Sequence, residues 1–304
     1  NGFWHVTSNW VSGAAPNVRQ TAVINVPANI TITHSQGTST IAALESSENF
    51  AVTGGTLALS LASLVSGAVN QTGGIISGAG ALTINAPYTW TSGNLGNAEG
   101  QGTVTLTSGM SLAPPVGGGV QLFGRNLING SGGTITWTGG TFFRGFGSVL
   151  ENQSGGLFDI QTDSDAPFQI GNTPAINNAG TLRKSAGTGV TSLGGIFNNA
   201  GIVEAQVGTL QIGSGASSGP IQVSPGATLD ISVSGSGQTI TGPLTVPAGA
   251  SLRLGTTVNL NGATAITGSA TISSGTTNLS AAAGPGFSPS SLSISGGTLN
   301  VSGS

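Results

Sequence analysis

Apolar and polar residues alternate along almost the whole chain in short bursts, and glycine closes most of them. The pattern is plain at Thr21–Val26, Ile30–Thr33, Thr56–Ser60, Ala81–Asn85, Thr103–Thr107, Thr134–Thr138 and Leu157–Ile160. A period of two, with Thr, Val and Ile prominent, predicts strands that bury one face and present hydroxyls on the other. Helix signals are nearly absent, because Lys, Glu, Arg and Met are scarce and glycine interrupts each stretch. The longest helix-compatible piece, Ser39–Glu48, places Ile41 and Leu44 where a strand edge or a turn would suit equally well.

A longer period overlies the short one. A small residue followed by a Thr-Leu-x-Ile phrase, or a close variant, returns at Gly180–Leu182, Gly208–Ile212, Ala227–Ile231, Ala250–Leu254, Ala270–Ile272 and Gly297–Val301. The interval is roughly 20 to 28 residues, a repeat period and not a domain spacing. Such a repeat without helical pattern predicts an all-β fold in which each repeat is one coil of a β-solenoid. Leu, Ile and Val then fill a narrow axial core, Thr and Ser face outward, and glycine turns the corners. Residues 1–35 read as an N-terminal cap with the first strands, and 36–304 as one continuous solenoid. The cap assignment rests on Trp4 and Trp10, two of the four tryptophans, with His5 between them, a bulky lid for an open end. The last phrase, running to Ser304, has no lid, which predicts continuation in a longer parent chain or end-to-end pairing with another copy. Asn1 in place of Met, without a basic or apolar leader, reads as a processed or excised chain.

The middle of the chain adds a second register mark. Asn129, Asn152, Asn178 and Asn199 each precede a closing glycine, and Gly133, Gly156, Gly180 and Gly201 follow one another at 23, 24 and 21 residues. Stacked asparagines predict an internal amide ladder. A row of solvent-facing Asn-Gly turns is the alternative.

Composition narrows the functional classes. Only 6 basic and 9 acidic residues occur, so a neutral surface of Ser, Thr, Asn and Gln must keep the chain soluble. Arg19, Arg125, Arg144, Arg183, Lys184 and Arg253 are scattered and the net charge is −3, which leaves no basic stripe for nucleic acid. No apolar run approaches the ~20 residues of a membrane span. Glycine and proline are abundant, yet mean hydropathy is positive (+0.23), which argues for a packed core over disorder. Cysteine is absent, compatible with either an oxidising or a reducing compartment.

Candidate chemistry is sparse. Asp159, Asp163 and Asp165 are three carboxylates within seven residues. They read as a solvated turn, a weak Ca²⁺ or glycan site, or the acid and base of a glycosidase-type β-helix. The spacing lacks the glycine and terminal glutamate of an EF-hand loop. Arg144, Asp159, Arg183 and Lys184 suggest an ion-pair column on neighbouring coils. His5 and His34 have no partners at metal-ligand spacing; His5 belongs with the cap, and His34 reads as a surface position at a strand end. Two histidines leave little material for a serine triad. Tyr88, Trp90, Trp137, Phe142, Phe143 and Phe146 would form a sugar-stacking strip if outward, but Ile135 and Trp137 share a face, which favours core filling. The Thr-x-Thr pairs suggest an ice-binding face, although they do not occupy one fixed position in successive repeats. No cofactor is expected.

Trp4–Trp10, followed by Pro16 and Val23–Val26, resembles the start of large secreted bacterial β-helix proteins, the autotransporter passenger domains and filamentous-haemagglutinin-like adhesins. The stretches Glu151–Asp159, Asn177–Lys184 and Phe197–Glu204 resemble their repeats. The resemblance implies a right-handed parallel β-helix, secretion and a place at the cell surface. It carries over no functional residue, and the membrane barrel and transport domain of that class are not recognisable here. The expected function is an extracellular structural or adhesive solenoid, a rod- or filament-forming surface protein without catalytic activity, with surface glycans as candidate partners. The alternative is a polysaccharide lyase, hydrolase or depolymerase using Asp159, Asp163 and Asp165.

Overall fold

The computed structural model describes residues 1–233 and 235–302. Ser304, the last residue of the expected solenoid range, lies outside them. The protein is all-β, 2% helical, and winds as a parallel β-solenoid through about 13 turns of about 22 residues. Two compact units are distinguished: Asn1–Glu151 with Gln169–Pro174, and Asn152–Phe168 with the chain from Ala175 onward.

In the first unit, residues two apart on each strand form two inward columns. One runs Ile32, Phe50, Val69, Tyr88, Met110, Ile135, and the other His34, Val52, Gln71, Trp90, Leu112, Trp137. The intervening positions form an outward column of Thr33, Ala51, Asn70, Thr89, Ser111 and Thr136. Hydroxyls align over the successive coils of Thr89, Ser111 and Thr136, but Ala51 and Asn70 interrupt the column, so the Thr-x-Thr pairs hold no single position throughout. The helix-compatible stretch forms strands Thr38–Ile41 and Ala43–Ser46, with Ile41 and Leu44 buried.

Coil length varies along the chain. Leu112 pairs with Trp137, 25 residues on, whereas Leu254 in the second unit pairs with Ile272, only 18 residues on. A longer coil encloses a wider section and needs larger side chains to exclude voids. The first unit answers with Tyr88, Trp90, Trp137 and Phe142, all buried, Phe142 meeting both tryptophans edge-on at 6.1 Å. The second unit carries Leu210, Leu229, Leu252 and Ala270 in one column. Each fully buried Leu or Ile contributes about 1.5–3 kcal/mol relative to exposure.

Corners of the second unit are built on close backbone approach. A Cβ on Gly201 would run into the carbonyl oxygen of Gly180, and one on Gly219 into that of Gly201. Glycine is required at these positions because parallel coils must stack at about 4.8 Å for their backbone groups to pair.

Candidate functional site

Asn152, Asn178 and Asn199 each close a strand in the second unit, immediately before such a corner. Asn152 Nδ2 donates to Asn178 Oδ1 at 2.7 Å, and Asn178 Nδ2 donates to Asn199 Oδ1 at 2.8 Å. The same amides also bond the carbonyls of Thr181 (3.0 Å) and Ile202 (2.9 Å). All three side chains are buried. Asn129, buried in the first unit, bonds the carbonyl of Gly133 at 3.3 Å, the local contact Asn152 makes with Gly156. In the next coil Ser217 stands opposite Asn199 and accepts instead from Gln238 Nε2 at 2.9 Å.

The three aspartates are not brought together. Asp159 lies outward between buried Phe158 and Ile160, where Arg183 of the next coil meets it through Nε at 2.9 Å and Nη2 at 3.2 Å. Ser185 Oγ and Gln161 Nε2 add bonds at 2.6 and 2.8 Å. Burial works to raise the Asp159 carboxyl, but these donors outweigh it and hold the group below its ordinary range. Asp163 pairs instead with Lys184 Nζ at 2.8 Å, which lowers its pKa. Lys184 points inward beside Leu182 in the strand Thr181–Lys184 and is fully buried. Its ammonium also bonds the carbonyls of Thr162 (2.8 Å) and Ala186 (3.1 Å) and Thr191 Oγ1 (3.1 Å). Asp165 Oδ1 accepts the backbone N–H of Ser192 at 2.9 Å. Among the described residues no three His, Asp or Glu side chains are grouped to hold a metal ion.

The expected ion-pair column is thus divided. Asp159 and Arg183 form one pair and Asp163 and Lys184 another, while Arg144 lies in the first unit, inward in register with Leu122, where burial lowers its pKa to about 9. Arg125 is likewise buried there; its guanidinium bonds the carbonyls of Gly78 (3.1 Å), Gly80 and Thr103 (3.2 Å), and burial lowers its pKa to about 10.

At the N-terminal end of the first unit Trp4 is buried, with Trp10 edge-on at 4.8 Å and Phe50 at 6.0 Å. Trp10, half-buried, donates its Nε1–H to the carbonyl of Trp4 at 2.7 Å. His34, expected at the surface, is instead fully buried because it continues the inward column of Val52 and Gln71. Its ring nitrogens meet Gly54 O at 2.9 Å and Ser39 Oγ at 3.1 Å, and burial lowers its pKa.

Sequence reasoning missed a second ladder, on the outside of the second unit. Thr239, Asn259, Asn278 and Asn300 stand in register on successive coils. Asn300 Nδ2 donates to Asn278 Oδ1 (2.9 Å), Asn278 Nδ2 to Asn259 Oδ1 (2.7 Å), and Asn259 Nδ2 to Thr239 Oγ1 (3.3 Å). The available signal was an Asn flanked by apolar neighbours at Val258–Leu260 and Leu299–Val301, spaced like the repeat.

No protein-family model, curated protein or solved structure matches this chain. The fold defines a β-solenoid repeat protein with polar ladders both inside and outside its strands.

Proposed function

We propose that the chain is an extracellular structural or adhesive β-solenoid, a rod- or filament-forming surface protein that works by binding and not by catalysis. The observation that carries this reading is how the carboxylates are used. Asp159 and Asp163 are held by cations, and Asp165 by a backbone N–H. Glycosidic cleavage needs two carboxyl groups flanking one bond. The hollow beside this column, about 480 Å³ and bordered by Thr181, Arg183, Ile202 and Glu204, contains Glu204 as its single carboxylate. The low charge and the outward Thr, Ser and Asn positions suit a surface that associates through many weak neutral contacts.

The test uses beads coated with the whole chain, applied to cell-surface preparations and to a panel of polysaccharides. Retention with no change in polymer length supports the proposal. Shortening of a polysaccharide that disappears in the Asp159→Ala, Asp163→Ala, Asp165→Ala variant overturns it in favour of a carbohydrate-acting enzyme.

A further inference from the structure

We infer that the outer face carrying Thr239, Asn259, Asn278 and Asn300 is the docking surface for a neutral, linear, hydroxyl-rich polysaccharide laid along the stack of coils. The inference rests on the adhesive reading above and gives it a ligand class and a place.

Charge comes first. From residue 238 to 302 the sequence has one ionisable side chain, Arg253, which belongs to the separate strand Ser251–Leu254. A polyanion would find almost nothing to neutralise it, so a partner gains no long-range attraction here. Around Asn259 and Asn278 the apolar neighbours Val258, Leu260 and Leu279 are buried, so this part of the face offers no large apolar anchor of the kind that stabilises protein–protein contacts. The exposed apolar side chain beside the ladder is Val301, next to Asn300 on the last described strand. Flanking the ladder are Thr257, Thr276 and Thr298 on one side and Asn261, Ser280 and Ser302 on the other.

Hydrogen-bonding capacity comes next. A primary amide has two N–H donors and an oxygen with two lone pairs. In Asn259 and Asn278 the ladder engages one donor and one acceptor site of each amide, leaving one of each for a ligand. Both side chains are half-exposed and Asn300 is exposed, so the remaining valences reach solvent. The ladder also fixes the amide planes, so docking costs little further side-chain ordering.

Periodicity supplies the third argument. Coils repeat at about 4.8 Å, a step close to the length of one ring in an extended sugar chain. Successive rings therefore meet the same amide and hydroxyl set, and individually weak contacts add as linked binding events. Threonine methyl groups give the C–H faces of the rings an apolar contact between the polar columns.

The experiment is a calorimetric titration of the whole chain with a soluble neutral β-linked glucan, a neutral mannan and a polyuronate of similar length. Binding of a neutral polymer, insensitive to salt and weakened about tenfold in Asn259→Ala/Asn278→Ala, supports the inference. A second variant, Thr257→Ala/Thr276→Ala, leaves the ladder intact and should weaken binding in the same direction, which separates ligand loss from misfolding. Circular dichroism of both variants checks the fold. No binding of either neutral polymer, binding unchanged in both variants, preference for the polyuronate, or a concentration-dependent dimer abolished by the variants each overturns it. If coated beads still adhere while neither neutral polymer binds, this inference fails and the adhesive reading stands. If a polymer is shortened, the adhesive reading itself fails.

Discussion

The two asparagine ladders of the second unit use the same amide-to-amide bond at nearly the same length, 2.7 and 2.8 Å inside against 2.7 and 2.9 Å outside. Their surroundings make them different devices. Inside, Asn152 and Asn178 also meet backbone carbonyls near a corner, and a valence left unfilled on such a buried side chain costs desolvation energy. Outside, the unused valences face water and are exchangeable for a ligand. A ladder is therefore a register lock or a recognition surface according to which side of the strand bears it, and alternation along the strand decides that side.

The largest expected effect separates them directly. Asn178→Ala removes both buried amide–amide bonds, the one from Asn152 and the one to Asn199, along with the bond to the Ile202 carbonyl, so it should lower stability by about 3 kcal/mol in urea titration. Equal destabilisation by Asn278→Ala would erase the distinction. Lys184→Met comes second: Ala186 O loses the ammonium, but Asp163 is 42% exposed and rehydrates, so about 1–2 kcal/mol is expected from the same titration.

Acid sharpens the contrast further. Asp159 and Asp163 are depressed below their unfolded values, so their stabilising contribution is present above about pH 4 and is lost as pH falls through the folded pKa values. His34 behaves oppositely to a partnered histidine. With its pKa lowered by burial, the unfolded chain takes up the proton first, so stability of the first unit should decline as pH falls below about 6.5. Thermal melts across this range should detect both losses, and a His34→Gln variant should lack the one that begins near pH 6.5. The outer ladder has no titratable group, so polymer affinity should stay flat wherever the chain is folded. The smallest effect is that of Asn278→Ala on stability, below about 1 kcal/mol, because water replaces the lost partner.

Much of this was legible in the sequence. Strands followed from period two, and coils from the recurring Thr-Leu phrase, because both patterns are local and repeated. The inner asparagines stood out because each sits before a glycine at a corner. Where reading by polarity overrode alternation, it misled: His34 shares parity with Ile32, Arg144 with Phe142 and Lys184 with Leu182, and all three point inward. A long polar side chain can enter a solenoid core when backbone carbonyls at the corners receive its head, as Lys184 shows. The aspartate cluster left several readings open in the sequence, since proximity in sequence on a turn does not fix direction in space, and the three carboxylates find separate partners. The outer ladder stayed hidden because one asparagine in a three- or four-residue strand is unremarkable until neighbouring coils are placed in register.

The most direct test follows the side-chain amide NMR signals of both ladders during titration with a soluble neutral β-linked glucan. The account predicts that Asn259, Asn278 and Asn300 shift progressively and saturate together, while Asn152, Asn178 and Asn199 stay in place. Shifts confined to the neighbourhood of Asp159 to Asp165, or none in the outer ladder at saturating polymer, would contradict it.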